Sequence, residues 1–305
     1  AIYSSSKKYF ILTSSYAYSA PVTRVYKADG TIVRTMEDNA EFMKKMAEYN
    51  FVKKEFMDVP LENGVKLSAW MIKPRDFNKK KKYPVLFTIY GGPGHQIVTD
   101  NWGGGLDIWY QYLADKGYIV VSVDNRGTGG KGADFKKVTY KKTGQLESDD
   151  QIAAAKFFST LPYIDGSRIG IYGWSFGGYM SSMCLMKGAD VFKMAVSVAP
   201  VTDWRFYDNI YTERYMQRPQ DNKAGYDSTS VLTYVPNLKG KLLLIYGSFD
   251  DNVHPQNSME LISKMVELNK QYDSEVYPDK NHSIYGGLTR LHLYTRITDY
   301  ILQNL

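Results

Sequence analysis

Cysteine and histidine are both scarce in this 305-residue sequence. Cys184 is the only cysteine, and four histidines are present. One cysteine excludes an intrachain disulfide and a cluster of thiolate metal ligands. The H-E-x-x-H pattern of many zinc hydrolases does not occur. We therefore expect no metal and no other cofactor.

Long apolar runs are absent as well. The longest, such as Leu242–Ile245, match one buried strand, whereas a membrane helix needs about 20 apolar residues. Lys7 and Lys8 are not followed by the sustained apolar region of a secretory signal. We expect no membrane span in this chain, and its compartment stays open because the sequence may be part of a longer one.

Two charged or glycine-rich patterns suggest nucleic-acid or nucleotide binding but have simpler explanations. The net charge is +6, and Lys79–Lys82 contributes much of the excess. This run contains no aromatic residue that could stack on a base, so we predict a solvated loop and no nucleic-acid partner. Residues 127–132 match G-x-G-x-x-G, but Asp124 lies between them and the preceding strand. A carboxylate there would repel a pyrophosphate, so we predict an ordinary turn.

The first forty-odd residues differ in pattern from the rest. Short β-type runs occur at Tyr9–Thr13 and Thr23–Tyr26, and a turn at Asp29-Gly30 precedes Ile32-Val33. Two or three such strands are marginally stable alone. They indicate the end of a larger β-domain, followed by a helix over residues 37–49. We place a domain boundary between residues 48 and 49.

Residues 49–305 alternate between strand and helix patterns, which predicts an α/β fold with a mostly parallel, doubly wound sheet covered on both faces. The predicted strands are Leu67–Ile72, Val85–Tyr90, Ile119–Val123, Ile169–Tyr172, Met194–Val198, Leu242–Tyr246 and Glu275–Tyr277. The predicted helices are Leu106–Lys116, Asp149–Leu161, Phe176–Lys187, Gln256–Gln271 and Leu288–Leu302.

A G-x-S-x-G motif, Gly173-Trp-Ser-Phe-Gly177, stands between a predicted strand and a predicted helix. This is the setting of a nucleophile elbow, a sharp turn that exposes a serine hydroxyl, here that of Ser175. The start of the following helix directs backbone N–H groups and a positive dipole at a developing oxyanion. The alternative, a glycine-rich turn with an incidental serine, does not explain the strand and helix around the motif.

A nucleophilic serine needs a histidine base and a carboxylate, in the hydrolase order Ser, acid, His. Asp250 and Asp251 follow the predicted strand ending at Tyr246, and His282 follows the next strand. His95 and His254 stand at the wrong places in that order, and His292 lies inside the last helix. His282 is therefore the predicted base, and either aspartate is the acid unless both belong to a solvated turn.

Together with the elbow, residues 90–94 (Tyr-Gly-Gly-Pro-Gly) and 250–254 (Asp-Asp-Asn-Val-His) closely resemble the prolyl oligopeptidase family. Residues 199–204 and 207–215 resemble its dipeptidyl peptidase IV branch. The resemblance implies the α/β-hydrolase fold and selects Asp250 over Asp251 as the acid. It also implies an oxyanion hole made by the Tyr90 hydroxyl and the Phe176 N–H.

The same resemblance implies a small apolar pocket for a proline ring, and Asn252 as the donor to the substrate carbonyl before that proline. Aromatic walls suit a flat ring, although a cluster of this kind also fits an ordinary core. The implied pocket residues are Phe176, Val201, Trp204, Tyr207, Tyr211 and Val253. Phe176 departs from the branch, where tyrosine is usual, so one hydroxyl is lost at the pocket.

The resemblance implies a serine peptidase that releases N-terminal Xaa-Pro (or Xaa-Ala) dipeptides. A carboxylesterase or lipase on the same fold, another peptidase of the family, and a non-catalytic binding module are the alternatives. The branch carries an N-terminal β-propeller whose paired glutamates hold the substrate amine, and residues 1–48 resemble only its tail. Homodimerisation and a periplasmic or extracellular bacterial location are further expectations.

Overall fold

The segment before Glu37 is an antiparallel sheet whose strands pair in chain order. The computed structural model describes residues 1–62 and 64–305. The strands are β1 (Ile2–Tyr3), β2 (Tyr9–Tyr16), β3 (Ser19–Lys27) and β4 (Ile32–Glu37). The predicted β-meander is thus confirmed, with longer strands than predicted and with β1 in addition.

Helix α1 (Ala40–Ala47) connects this sheet to the rest of the chain. It begins later than predicted because β4 continues to Glu37, and it ends at Ala47, before the predicted end at Tyr49. Two hydrogen bonds connect the end of β2 to residues 100–102, which precede α2. The Ala17 N–H donates to Asp100 Oδ1 at 2.9 Å, and the Trp102 N–H donates to Ser15 Oγ at 3.3 Å.

A second, mixed sheet of eight strands forms the centre of residues 49–305. Its strands are β5 (Glu55–Pro60), β6 (Lys66–Ile72), β7 (Tyr83–Ile89), β8 (Ile119–Asp124), β9 (Ile164–Trp174), β10 (Met194–Val198), β11 (Lys241–Gly247) and β12 (Asp273–Tyr277). Their order is β12-β11-β10-β9-β7-β8-β6-β5. The pairs β5–β6 and β6–β8 are antiparallel and the others parallel, which confirms the predicted mostly parallel α/β sheet.

Strand β5 was not predicted. It lies at the sheet edge, where only one neighbour shapes its sequence, and it ends at Pro60, a residue that edge strands tolerate. The lysine run 79–82 lies in the exposed loop between β6 and β7, as expected. Residues 127–132 likewise form a loop rather than the start of a helix.

Helices cover both faces of the sheet and create two apolar cores. One core includes residues of α4 (Gln145–Ser159), α5 (Phe176–Lys187) and α9 (Gln256–Glu267), and the other includes residues of α2 (Gly105–Asp115) and α10 (Thr289–Asn304). Short α3 (Ala133–Lys137) precedes α4. Helix α4 begins at Gln145, four residues before its predicted start, because its first turn is polar although it is largely buried.

The segment between β10 and β11 folds into short helices that sequence periodicity did not predict. They are α6 (Asn209–Met216), α7 (Lys223–Thr229) and α8 (Val231–Tyr234). Helices this short carry no extended apolar stripe. Their starts are set by local caps instead, as Asp208 accepts from the Tyr211 N–H and Asn222 from the Gly225 N–H.

The register of the parallel strands brings three loops to one edge of the sheet. Trp174 pairs with Val198, Val198 with Ile245, and Gly247 with Tyr277. The carboxyl ends of β9, β11 and β12 therefore lie close together, and ligand sites of α/β sheets form at such ends. Ser175, Asp250 and His282 follow these strands.

Helix α5 depends on glycine for its close approach to the sheet. A Cβ on Gly178 would lie 2.5 Å from the Val198 carbonyl oxygen, which a β-strand holds in place.

We expect Gly178→Ala to lower the free energy of unfolding by about 2 kcal/mol through overpacking. Gly105→Ala in α2 is the control, because a Cβ there meets no atom within 4 Å. It should be neutral or stabilising by up to about 1 kcal/mol. Urea unfolding measures both, and equal effects would contradict the close-approach argument.

Candidate active site

Ser175 occupies a strained turn between β9 and α5. Its backbone has φ 59° and ψ −118°, and its N–H donates to the Val198 carbonyl oxygen at 2.8 Å. Positive φ is costly for a residue with a side chain and recurs at functional sites. A Cβ on Gly173 would lie 2.3 Å from the Gly177 carbonyl oxygen, and one on Gly177 would lie 2.2 Å from that of Ile89. Only glycine fits at both positions, so the motif residues produce the elbow geometry.

Asp250 and His282 form a close pair at the same edge. His282 Nδ1 lies 2.7 Å from Asp250 Oδ2, with the aspartate side chain fully buried and the histidine side chain 18% exposed. Oδ1 of Asp250 accepts from the N–H groups of Asn252 and Val253 at 3.0 and 2.8 Å. Both carboxylate oxygens thus have hydrogen-bond partners, and the carboxylate can hold the Nδ1–H tautomer of the imidazole. Asp251, the alternative acid, is exposed to solvent.

The histidine loop is attached to the elbow through Trp174, a residue to which the sequence analysis assigned no role. Its indole Nε1–H donates to the His282 carbonyl oxygen at 3.0 Å. Among the described residues, no hydrogen bond joins the Ser175 hydroxyl to His282. Such contacts often form only when substrate binds. The remaining histidines have other surroundings, for example His292, whose Nδ1 lies 2.8 Å from the Tyr277 hydroxyl.

Tyr90 and Phe176 line the same small cavity as Ser175. Tyr90 follows the end of β7, and its ring centroid is 5.8 Å from that of Phe176. Burial, together with nearby Tyr215, raises the pKa of the Tyr90 phenol. The phenol therefore keeps its proton and remains a donor across the physiological range. Phe176 is the first residue of α5, where backbone N–H groups have no helical partner.

A small cavity of about 30 Å³ opens beside Ser175 and Tyr90. Its other walls are the predicted pocket residues Phe176, Val201, Trp204, Tyr207 and Tyr211. Most of these side chains come from the short-helix segment after β10, so tertiary folding brings them to the elbow. The cavity's size and aromatic walls suit a small apolar side chain.

The two remaining predicted pocket residues lie outside the cavity wall. Asn252 is exposed and accepts a hydrogen bond from the Tyr207 hydroxyl at 2.8 Å, which holds it at the rim. Val253 is 3% exposed and belongs to the same apolar core as Phe176 and Trp204. It supports the wall from behind.

Two supporting groups behind the pocket were not predicted. The Thr143 carbonyl oxygen accepts from Trp204 Nε1 and from the Tyr179 hydroxyl, both at 3.1 Å. A backbone acceptor has no side-chain signal that sequence analysis could detect. Glu147 accepts from the Gly144 N–H at 2.8 Å, and burial raises its pKa to about 8. The sequence analysis did not place Glu147 in a helix, because the predicted helix began at Asp149 whereas α4 begins at Gln145.

The comparisons with known proteins agree with this geometry. The Prolyl oligopeptidase family profile matches residues 106–305. A probable dipeptidyl-aminopeptidase B of Metarhizium robertsii is 40% identical over 98% of this chain, which covers 33% of that protein. A probable dipeptidyl peptidase 4 of Aspergillus flavus is 39% identical over 94% of this chain and is covered to 38%. The chain therefore spans about a third of the length of these curated relatives.

Solved structures show the same fold. Dipeptidyl peptidase 4 of Porphyromonas gingivalis matches with a TM-score of 0.97 and 46% identity, covering all of this chain and 43% of that one. A putative dipeptidyl aminopeptidase IV of Bacteroides ovatus matches with a TM-score of 0.91 and 33% identity, covering 99% of this chain and 43% of that one. These similarities identify the larger sheet and its helices as an α/β-hydrolase fold.

The contacts of Asp250 predict a large difference between the two neighbouring aspartates. In Asp250→Asn an amide N–H would face His282 and favour the imidazole tautomer that cannot accept the serine proton. We expect kcat to fall by a factor on the order of 10⁴, as in the serine protease whose aspartate was changed in this way. Asp251→Asn changes an exposed side chain and should alter kcat by no more than about twofold. Steady-state kinetics of both variants measure the difference, and equal losses would contradict the assignment.

The position of Tyr90 predicts a loss confined to the chemical step. Tyr90→Phe removes the hydroxyl donor, and kcat should fall by about 10²–10³ with a smaller change in KM. Because burial raises the pKa of Tyr90, deprotonation of this group should not reduce activity below about pH 10. Tyr207→Phe is the control, since its hydroxyl bonds Asn252 and its loss should cost only about fivefold. A fall in kcat below about pH 10 that disappears in Tyr90→Phe would contradict the raised pKa.

Proposed function

This chain belongs to the prolyl oligopeptidase family, and we propose that it is the catalytic part of a serine dipeptidyl peptidase. The observation that carries the proposal is the juxtaposition of the strained Ser175 elbow, the buried Asp250–His282 pair and a small aromatic cavity. A nucleophile, an oriented base and a specificity pocket are the parts that acyl transfer requires.

In the proposed reaction Ser175 Oγ attacks the scissile carbonyl carbon while His282 Nε2 accepts the hydroxyl proton. The oxyanion accepts hydrogen bonds from the Tyr90 hydroxyl and the Phe176 N–H. His282 then returns the proton to the leaving amine as the acyl-enzyme forms. Water, deprotonated by His282, attacks the acyl-enzyme and releases the acid, and Ser175 regains its proton.

The proposed substrate is a peptide with proline, or alanine, as its second residue. The cavity beside Ser175 is small, and Trp204 and Tyr211, whose ring centroids are 6.0 Å apart, form part of its wall. A pyrrolidine ring buried there gains apolar contact with little loss of conformational freedom, because the ring is already rigid. A long side chain would not fit without displacing these rings.

We extend the proposal to the rest of the protein. Residues 1–48 would be the end of a β-propeller, supported by the four-stranded antiparallel sheet and by relatives about three times as long. The group that holds the substrate amine would then lie outside these 305 residues. A homodimer and a periplasmic or extracellular bacterial location complete the proposal, testable by sedimentation and by cell fractionation. Among the described residues, no helix has the length and apolar character to cross a membrane.

Covalent labelling tests the nucleophile and the reaction class together. A fluorophosphonate probe should modify Ser175 alone, as located by peptide mass spectrometry, and Ser175→Ala should abolish both labelling and hydrolysis of a Gly-Pro chromogenic amide. The variant should unfold at the wild-type temperature, because only an oxygen atom is removed. Labelling of another serine would overturn the assignment. Hydrolysis of short-chain esters without any Gly-Pro amide hydrolysis would favour the carboxylesterase alternative.

The division of the active site between this chain and a propeller predicts how the substrate amine is recognised. A Gly-Pro chromogenic amide and its N-blocked form should be cleaved at similar rates by the 305-residue chain. A protein that also carries the propeller should strongly prefer the free amine. Remote binding energy helps to orient the scissile bond, so its absence should lower kcat as well as raise KM. If the 305-residue chain discriminates equally well, the amine-binding group lies within it.

A further inference from the structure

The glycine-rich turn after β8 is packed against the loop that carries Tyr90. These two segments are the β8 turn, residues 125–130, and the Tyr90 loop, residues 90–98. The Gly94 N–H donates to the Gly127 carbonyl oxygen at 2.8 Å, which joins the two backbones directly. The β8 turn is therefore in a position to determine where the Tyr90 loop lies.

A buried side-chain amide, that of Asn125, makes a second connection between the two segments. Its Nδ2 donates to the Gly91 carbonyl oxygen at 3.1 Å and to the Arg126 carbonyl oxygen at 2.7 Å. Its Oδ1 accepts from Gln151 Nε2 on α4 at 3.1 Å. Asn125 is 0% exposed, and both its amide nitrogen and its amide oxygen have partners. The amide is thus held in one orientation, with its N–H groups toward the Tyr90 loop.

Gly91 lies so close to this amide that only glycine fits. Its φ is +78°, in the left-handed region, and a Cβ there would lie 2.7 Å from Asn125 Oδ1. Gly91 follows Tyr90 directly in the chain. The hydrogen bond from Asn125 therefore fixes the backbone one residue beyond the proposed oxyanion donor.

The Tyr90 ring is placed by the residues of its own loop. A Cβ on Gly92 would lie 2.6 Å from Tyr90 Cε1, so the Gly92 backbone lies against the ring. The His95 ring packs on it as well, with a centroid distance of 4.4 Å. A shift of the loop backbone would therefore move the phenol.

We propose that Asn125 is a positioning residue for the oxyanion hole, because it holds the Tyr90 loop where the phenol can donate to the oxyanion. The inference rests on the proposed function and adds a residue to the same site. Asn125 does not line the small cavity, so its loss should affect the chemical step more than substrate binding. A misplacement of about 1 Å in an active site can cost up to about 10²-fold in rate.

A double-mutant cycle with Tyr90→Phe tests this role. With a Gly-Pro chromogenic amide, Asn125→Ala should lower kcat by about 10–30-fold and change KM by no more than about twofold. In the Tyr90→Phe background no phenolic hydroxyl remains to be positioned, so the same change should lower kcat by no more than about twofold. Asn125→Ser keeps a polar group on a shorter side chain. It should give the same pattern and replaces the alanine variant if that variant does not fold.

Gln111→Ala is the matched control. Gln111 is a buried amide on α2, which covers the opposite face of the sheet from α4. Its Oε1 accepts from the Val52 N–H at 2.9 Å, and its Nε2 donates to the Val52 carbonyl oxygen at 2.7 Å. The change removes buried hydrogen bonds and lowers stability, but kcat should change by no more than about twofold in either background. Thermal unfolding measures the stability that each variant loses.

The rate of fluorophosphonate labelling separates this inference from the proposed function. Labelling of Ser175 uses the nucleophile and the oxyanion hole but no peptide, and its second-order rate constant should show the same cycle as kcat. If Gly-Pro amides are not cleaved, the function is overturned, and the labelling rates still decide the role of Asn125. Equal fold losses in the two backgrounds, wild-type rates in Asn125→Ala, or an equal loss in Gln111→Ala would overturn the inference. A protein that neither cleaves the amide nor becomes labelled overturns both.

Discussion

The close approach of helix α5 to the sheet is the constraint on which the site depends. Gly173, Gly177 and Gly178 each face a backbone atom at a distance where no side chain fits. This approach forces Ser175 into a left-handed conformation and directs the start of α5 toward the space above the sheet edge. A looser contact would allow a relaxed turn at Ser175.

The arrangement of the charged and polar groups around His282 also depends on the edge of the sheet where the parallel strands end. Asp250 is fully buried, yet both of its oxygens have partners, so its negative charge is stabilised without solvent. The orientation of His282 is determined at two points, by Asp250 at its ring and by Trp174 at its carbonyl oxygen. The proposed base is thus tied to the residue that precedes the proposed nucleophile, and a hydrogen bond joins the elbow to the histidine loop.

The proposed specificity pocket is formed mainly by elements outside the parallel sheet. The segment between β10 and β11 supplies most of the cavity wall, and the Thr143 carbonyl oxygen anchors the wall from behind. Along α6 the aromatic wall continues from Tyr211 to Tyr215, beside a pocket lined by Lys136, Lys137 and Arg214.

The sequence alone was sufficient to predict the central strands, the elbow and the candidate residues Ser175 and His282. These features depend on the spacing of apolar residues and on local requirements for glycine, and both can be read from residues that are neighbours in the chain. It left Asp250 and Asp251 open on residue chemistry, since both are acids in one loop and only burial and hydrogen bonding distinguish them. It missed β5, α6 and the start of α4, where an edge position, local caps and a buried polar turn weaken the periodic signal. The roles of Trp174, Thr143 and Glu147, and the grouping of Lys136 with Arg214, were decided by tertiary structure alone. These contacts join residues far apart in the chain, and backbone acceptors and converging charges leave no local pattern from which they could be inferred.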